Sequence, residues 1–308
     1  MKKDRAALPA LKLSLPGGQA LNEDHAICRR QAGVRLLAAF DGCGGVGGRR
    51  YPQLHNRTGA HIASNLYAAC LEEWFLENAA ALPMKHTAEA LDTLFFTTAS
   101  DYHEKYLKLE PSAVTGSMVR TLPSTAAILL QYENSAALYW AGNTRGYLLT
   151  DTGLKLLTTD DTASPADAFE SLYRDAPMHN YLCTDRAFRL HEHKFDLPKQ
   201  GVLMLATDGA YHAVPTPMHF EALLLNTLEE ATAKKQWKQT LRSALQASIS
   251  DDATMILQPF GFADYCELSP YFDKRRRHVN QAYILPAAQA SADPRLTMRT
   301  LWEMYQKE

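Results

Sequence analysis

The chain has 308 residues, 46% hydrophobic and 21% charged, a balance that excludes collagen, coiled coil and wholesale disorder. Its formal net charge of −2 sets up no global field toward nucleic acid or an anionic membrane, so neither is an expected partner. Five scattered cysteines without C-x-x-C spacing argue against a disulfide framework and a structural zinc site, and point to a reducing, cytoplasmic setting.

In chain order, residues 11–15 (LKLSL), 25–30 (HAICRR) and 34–40 (VRLLAAF) read as strands. The third is a short, almost unbroken apolar run, the pattern of a strand buried on both faces. It runs into Asp41-Gly-Cys-Gly-Gly-Val-Gly-Gly48, a loop whose glycines open backbone conformations closed to other residues. Two helices are expected next. One covers 57–78 with Ala63, Leu66, Cys70 and Trp74 on one face; the other covers 86–108 with Leu91, Phe95, Tyr102 and Tyr106. The period then shortens, and 124–132, 135–141 and 145–150 read as an antiparallel meander broken at Glu133-Asn134 and Gly142-Asn143. Residues 158–188 form an irregular excursion. A strand pair is expected at 187–195 and 201–207, then helices near 216–231 and 233–248, the latter with Trp237, Leu241 and Leu245 on one face. A last strand covers 253–258.

Helices grouped between runs of antiparallel strands predict an α+β fold with helices packed on sheets. No apolar run approaches the roughly 20 residues of a membrane helix, and no secretory leader is expected at the N-terminus. The domain is expected over 1–259, with 260–308 as a C-terminal extension. That extension holds Tyr265, Tyr271, Phe272, Tyr283, Ile284, Leu285, Leu296, Leu301, Trp302 and Tyr305, too much apolar bulk for a disordered linker, so part of it is expected to pack on the domain. Its basic run Lys274–Arg277 reads as solvated surface or a docking point for an acidic partner.

Four acidic clusters stand at strand ends: Asn22-Glu23-Asp24, Phe40-Asp41-Gly42, Ala206-Thr207-Asp208-Gly209 and Ser250-Asp251-Asp252. Each alone reads as readily as a turn, because Asp is a poor strand residue and Gly a good turn residue. Together they suggest more. Carboxylates that converge repel one another unless cations sit between them, and all-oxygen ligand sets favour magnesium, manganese or calcium.

These motifs, in this order, resemble the metal-dependent protein phosphatases (the PPM family, type 2C). Asn22-Glu23-Asp24 is similar to that family's Glu-Asp motif, and Asp41-Gly-Cys-Gly-Gly45 to its Asp-Gly-x-Gly-Gly loop. Thr125–Leu130 and Ala141–Tyr147 resemble its central strand pair. Leu157–Asp161 and Asn180-Tyr-Leu182 fall at the start of its flap segment and at its Asn-x-Leu element. Ala206-Thr-Asp-Gly209 and Asp251–Ile256 resemble its two late metal motifs. The resemblance spans about residues 12–258 and implies an α-β-β-α sandwich of two antiparallel sheets flanked by helices. It implies two divalent cations, Mn2+ or Mg2+. Asp41 would bridge both, Glu23 and the Gly42 carbonyl would serve one, and Asp208 and Asp251 the other, with Asp24 holding the attacking water. The implied reaction is hydrolysis of phosphoserine or phosphothreonine in a protein substrate. A pseudophosphatase that regulates a partner and a phosphatase of small metabolites are the alternatives.

Four departures stand out. Gln19 replaces a phosphate-binding Arg, and an amide is no substitute for a bidentate, charged fork. Arg49 and Arg50 are the candidates to supply the missing charge. Cys43 stands where His or Met is common. Asn143 and His212 stand where the family places aspartates for a third metal, which leaves that site degenerate. Asp252 falls where the family commonly has Asn, so its charge is not expected to be required. The loop also fits G-x-G-x-x-G at Gly42, Gly44 and Gly47, but Pro52 and the missing second strand oppose a dinucleotide site.

Overall fold

The computed structural model describes residues 8–18, 21–107, 120–163, 167–170, 177–290 and 293–308. The chain opens with β1 (Leu11–Leu15), β2 (Asp24–Gln31) and β3 (Val34–Gly42), followed by a four-residue helical turn, α1 (Gly44–Gly47). A small hairpin, β4 (Arg50–Tyr51) and β5 (Arg57–Thr58), leads into α2 (Gly59–Asn78) and α3 (Thr87–Tyr102). Then come β6 (Ser124–Gln131), β7 (Ser135–Ala141), β8 (Arg145–Thr150), β9 (Gly153–Leu156), β10 (His191–Asp196) and β11 (Gly201–Ala206). Short α4 (Asp208–Tyr211), α5 (Pro217–Thr227) and α6 (Lys234–Gln246) precede β12 (Ala253–Phe260). Three further helices follow, α7 (Leu268–Val279), α8 (Leu285–Gln289) and α9 (Pro294–Tyr305).

The strands form two five-stranded antiparallel sheets, ordered β1-β12-β11-β8-β9 and β10-β7-β6-β3-β2. Three apolar clusters mark the three interfaces of a four-layer sandwich. Leu37, Ala39, Leu129 and Leu138 meet Leu203, Leu205 and Ile256 between the sheets. Phe40, Leu36 and Ile128 meet Tyr67, Leu71, Phe75 and Phe95 of α2 and α3 on one outer side. Leu13, Met204 and Leu257 meet the helices from α5 onward on the other. The central strands β3, β6 and β12 are accordingly buried along almost their whole length, while the edge strand β10 (HEHKFD) carries exposed charge.

The expected α+β sandwich is present, with corrections in its wiring. The meander does not stay in one sheet: Ala141 of β7 pairs with Ala126, whereas Arg145 of β8 pairs with Ala206 in the opposite sheet. The chain changes sheets at Gly142, where φ is +93° and a Cβ would stand 2.5 Å from the Thr125 side chain. Likewise β10 pairs with β7 and β11 with β12 and β8, so they are not partners. Strand β9 lies where no strand was expected. On α2, Ala63 and Cys70 of the expected stripe are buried, but the bulk of the inward face is Tyr67, Leu71 and Phe75, and Leu66 and Trp74 are only half-buried.

Phe260 still belongs to β12, and the described residues beyond it are mostly helical. Tyr265, Leu268, Phe272, Val279, Tyr283, Leu301 and Trp302 are buried in one cluster with Phe220, Leu224 and Leu257, while Leu285 and Leu296 stay exposed. The three arginines of the basic run form internal pairs, while Lys274 and Arg277 stay on the exposed surface: Arg275 bonds Glu221 and Glu308, Arg276 bonds Glu229 and Asp273, and Arg277 bonds Asp273. Among the described residues, no helix is long and apolar enough to cross a membrane.

Candidate active site

Sheet register alone gathers the acidic clusters. Asp24 stands opposite Asp41 across β2 and β3, and Gly42 opposite Ser124 at the start of β6. Leu15, the last residue of β1, stands opposite Ala253, and Ala206 is opposite both Met255 and Arg145. Residues 23–24, 41–48, 142–144, 207–208 and 251–252 therefore emerge at one end of the sandwich. There they surround a cavity of about 440 Å³ lined by Glu23, Asp41, Gly42, Asn143, Asp208, Asp251 and Asp252, with Cys43, Arg50, Thr58 and Met178.

Two of the acids are held by threonine hydroxyls. Glu23 accepts from the Thr58 hydroxyl and Asp24 accepts from Thr207 at 2.8 Å. Thr58 also caps α2, taking the His61 N–H at 3.1 Å, so the helix start and Glu23 share one anchor. The Gly42 N–H donates to the Glu23 carbonyl at 3.1 Å. Gly44 lies so close to Glu23 that a Cβ there would stand 2.4 Å from its carboxylate.

Charge in the cavity is unbalanced. Among the described residues, Arg50 is the sole cationic side chain on a wall that carries five carboxylates, and a sixth, Asp24, lies buried beneath. Burial first, then the nearby Asp208, Asp24 and Asp251, pushes Asp41 well above the usual carboxylate range. Burial likewise raises Asp24 against the opposing hydrogen bonds of Thr207 and Thr254, with Asp208 and Asp252 adding to the rise. Glu23 is raised by burial against the Thr58 hydrogen bond, and Asp252 and Asp251 raise it further. Two buried acceptors, Asp24 Oδ1 and Asn143 Oδ1, have no hydrogen-bond partner among the described residues. Crowded carboxylates and orphaned oxygens are the donor set a hard divalent cation takes. Among the described residues, no group of three or more His, Cys, Asp or Glu side chains is already closed around a cation position.

The remaining expected site residues divide. Arg50, opposite Thr58 in the β4–β5 hairpin, lines the cavity and donates to the Asn56 carbonyl at 3.0 Å. Arg49 does not line it; its guanidinium lies 5.5 Å from the Tyr51 ring. Gln19 lies outside the described residues. Asn143 lines the cavity, and its amide donates to Asp208 at 3.0 Å, while His212 is exposed and edge-on to Tyr211. Burial first, with Asp41 and Asp208 nearby, raises the Cys43 thiol well above its ordinary value.

Asp252 corrects the sequence reading. Its two oxygens accept from the Gly17 N–H at 2.8 Å and the Glu23 N–H at 2.7 Å. An Asn offers one acceptor, so its NH2 would face one of these donors. The carboxylate is in use. Also missed were Thr58 and Thr207, whose hydroxyls bond acids distant in sequence, and Asp161. The buried Asp161 accepts from Gly142 N–H at 3.0 Å and Asn180 at 2.7 Å, and bonds the His191 ring at 2.8 Å. Only its Leu-Thr-x-Asp-Asp context marked it in the sequence.

Solved structures with this fold include the serine/threonine phosphatase Stp1 from Staphylococcus aureus, at 20% identity and a TM-score of 0.61, covering 82% of this chain and 94% of that one. The serine/threonine phosphatase PstP/Ppp of Mycobacterium tuberculosis matches at 19% identity and TM-score 0.60, over 83% of this chain and 100% of the other. PppA of Pseudomonas aeruginosa, a regulatory component of that organism's T6SS, matches at 20% identity and TM-score 0.59, covering 82% and 97%. No curated protein matches the sequence. Residues 17–246 match the family described as Protein phosphatase 2C. With the acidic clusters gathered at one end of the sandwich and the family matched over most of the chain's length, the chain belongs to the protein phosphatase 2C family.

Proposed function

We propose that this chain hydrolyses phosphoserine and phosphothreonine in protein substrates with two divalent cations, Mn2+ or Mg2+, held in the carboxylate-lined cavity. The observation that carries this reading is the charge imbalance: five wall carboxylates and a buried sixth against one arginine. Asp41, at the centre of the cluster, would serve both ions. Glu23 and the Gly42 carbonyl would serve one, and Asp208 and Asp251 the other. Such ions supply a water activated at neutral pH and positive charge for the phosphate oxygens.

The chain's own groups do the positioning. Asp24, held through one oxygen by Thr207, presents its free Oδ1 to orient the attacking water. Arg50 reaches the same cavity and takes the phosphate-binding role expected of the position now occupied by Gln19. Asn143 commits its amide to Asp208 instead of offering a carboxylate, which supports a site built for two ions without a third. Residues 1–259 form the phosphatase domain and 260–308 its extension. Five unpaired cysteines suit a reducing, cytoplasmic setting.

Hydrolysis of a chromogenic phosphate ester with Mn2+, with Mg2+ and with chelator, followed by a phosphopeptide panel, tests the reading. Activity that needs the metal and extends to phosphoserine or phosphothreonine peptides is expected. Metal-independent activity, or none on any ester, would refute it.

A further inference from the structure

A second cavity, of about 800 Å³, lies along the edge strand β9 and shares no lining residue with the carboxylate cavity. That volume falls in the roughly 300–1,000 Å³ range of small-molecule sites. Leu148 of β8, Leu154 of β9, and Leu197 and Pro198 of the β10–β11 turn supply apolar walls, and Trp302 and Tyr305 of α9 close it. The two α9 rings stack on each other with centroids 5.5 Å apart. Trp302, Tyr305 and the lining Arg275 all lie beyond residues 17–246, the stretch matched to the family. Most polar groups of the lining are already committed. Arg275 gives its three nitrogens to Glu221 and Glu308, Tyr305 donates to Glu221, and the Thr150 and Thr152 hydroxyls bond each other at 2.8 Å. Trp302 is the exception. It is only 7% exposed, and its indole N–H has no hydrogen-bond partner among the described residues. A buried Trp N–H usually has one, and without it the desolvation of that donor goes unrepaid.

We infer that this cavity is a binding site for an uncharged, apolar small molecule with a carbonyl oxygen, which accepts from the Trp302 Nε1–H while its body lies against the leucines and Pro198. The chemistry follows from what the wall offers and what it lacks. Charge is not called for: Arg275 is answered by its glutamates, and the exposed Lys155 and Asp196 oppose each other in sign. An ion placed between apolar walls would lose its hydration for no new partner. A plain hydrocarbon would fill the space and leave the indole donor stranded. A carbonyl accepts that hydrogen bond and, unlike a hydroxyl, brings no proton that needs an acceptor of its own.

The test compares benzophenone with diphenylmethane, which differ by one carbonyl, in calorimetry and thermal melting of the full chain. Benzophenone is expected to bind at one site and to raise the thermal midpoint, as a ligand of the folded state does. Diphenylmethane should bind about fivefold more weakly, the worth of one hydrogen bond. Trp302→Phe keeps a ring but removes the N–H, and should bind the two compounds equally. Thr152 is exposed, so Thr152→Trp is expected to fold, while its bulk crowds the cavity and weakens both compounds alike. Irradiated benzophenone attaches to nearby C–H groups, and peptide mapping should place it on Leu148, Leu154 or Leu197. No binding of benzophenone, equal binding of both compounds to wild type, discrimination that survives Trp302→Phe, or label elsewhere would each overturn the inference. If Trp302→Phe does not fold, the wild-type comparison, Thr152→Trp and the label map decide it. None of these readouts is enzymatic, so they stand or fall apart from the phosphatase reading.

Discussion

Two regions of this molecule concentrate charge, and they do so in opposite ways. In the cavity, carboxylates crowd together with a single arginine, and burial and mutual repulsion raise Glu23, Asp24 and Asp41. Around Arg275, between α7 and α9, the charges answer one another. Buried Arg275 bonds Glu221 at 2.8 and 3.0 Å, its other nitrogen reaches Glu308, and Glu308 also takes hydrogen bonds from Tyr283 and His278. A cluster that balances itself is architecture. One that does not balance raises its own carboxyl groups and leaves an excess that a cation would answer, which is what supports the proposed metal site.

If that contrast is right, removing a charge should have opposite consequences at the two places. Asp41→Asn is expected to lower kcat by on the order of 10³-fold or more, roughly 4 kcal/mol of barrier. Its metal-free thermal midpoint should hold or rise, because a repelling charge has gone. Arg275→Ala should do the reverse. Breaking the pair strands Glu221, which is fully buried, and should cost about 3 kcal/mol in urea unfolding, near the low end for a broken buried pair because Tyr305 still bonds Glu221. Ester turnover per folded molecule should stay at the wild-type level. A destabilised metal-free Asp41→Asn chain would break the contrast.

Smaller changes sharpen it. Asp252→Asn sets an NH2 group against a backbone donor and should weaken Mn2+ binding about tenfold, from the ~1–2 kcal/mol of one lost, well-placed hydrogen bond. Silent calorimetry on this variant would return Asp252 to a plain turn. Arg50→Ala should raise KM for a small ester about fivefold and leave kcat nearly unchanged, while Arg49→Ala does neither. Equal effects from both would remove the distinction drawn from their positions.

The smallest effect is on pH dependence. Burial would raise Glu308, but hydrogen bonds from Tyr283, Arg275 and His278 outweigh it and hold its carboxyl at about 2, below the ordinary 4.5. A depressed carboxylate contributes its stability fully above the unfolded value, and that contribution drains as pH falls from about 4.5 toward 2. Wild type should therefore lose more stability between pH 5 and pH 3 than Glu308→Gln does. Parallel urea curves for the two chains would show otherwise if Glu308 is not bound this way.

What the sequence displayed was local. Apolar runs marked most strands, and Asp-Gly at strand ends marked acids whose neighbours in space follow once the sheet register is known. The sheet change at Gly142 was illegible, because a turn between two strands looks the same whether they remain partners or part. Asp252, Thr58 and Thr207 act across 229, 35 and 183 residues of chain, and no periodicity reports such pairings. The basic run of α7 misled for the same reason: Glu221 and Glu308, which absorb Arg275, lie 54 and 33 residues away. Gly142 and Asp161 show how the two kinds of signal combine, since a turn glycine visible in the sequence is fixed by a carboxylate whose role appears only in the fold.

The most direct test of the central claim is calorimetric titration of the metal-free chain with Mn2+, beside Asp41→Asn under identical conditions. Binding of two ions per chain is expected, with proton release as the raised carboxyl groups ionise, and with both ions weakened together in Asp41→Asn. A chain that binds no Mn2+, or binds it as tightly after Asp41→Asn, would contradict the account.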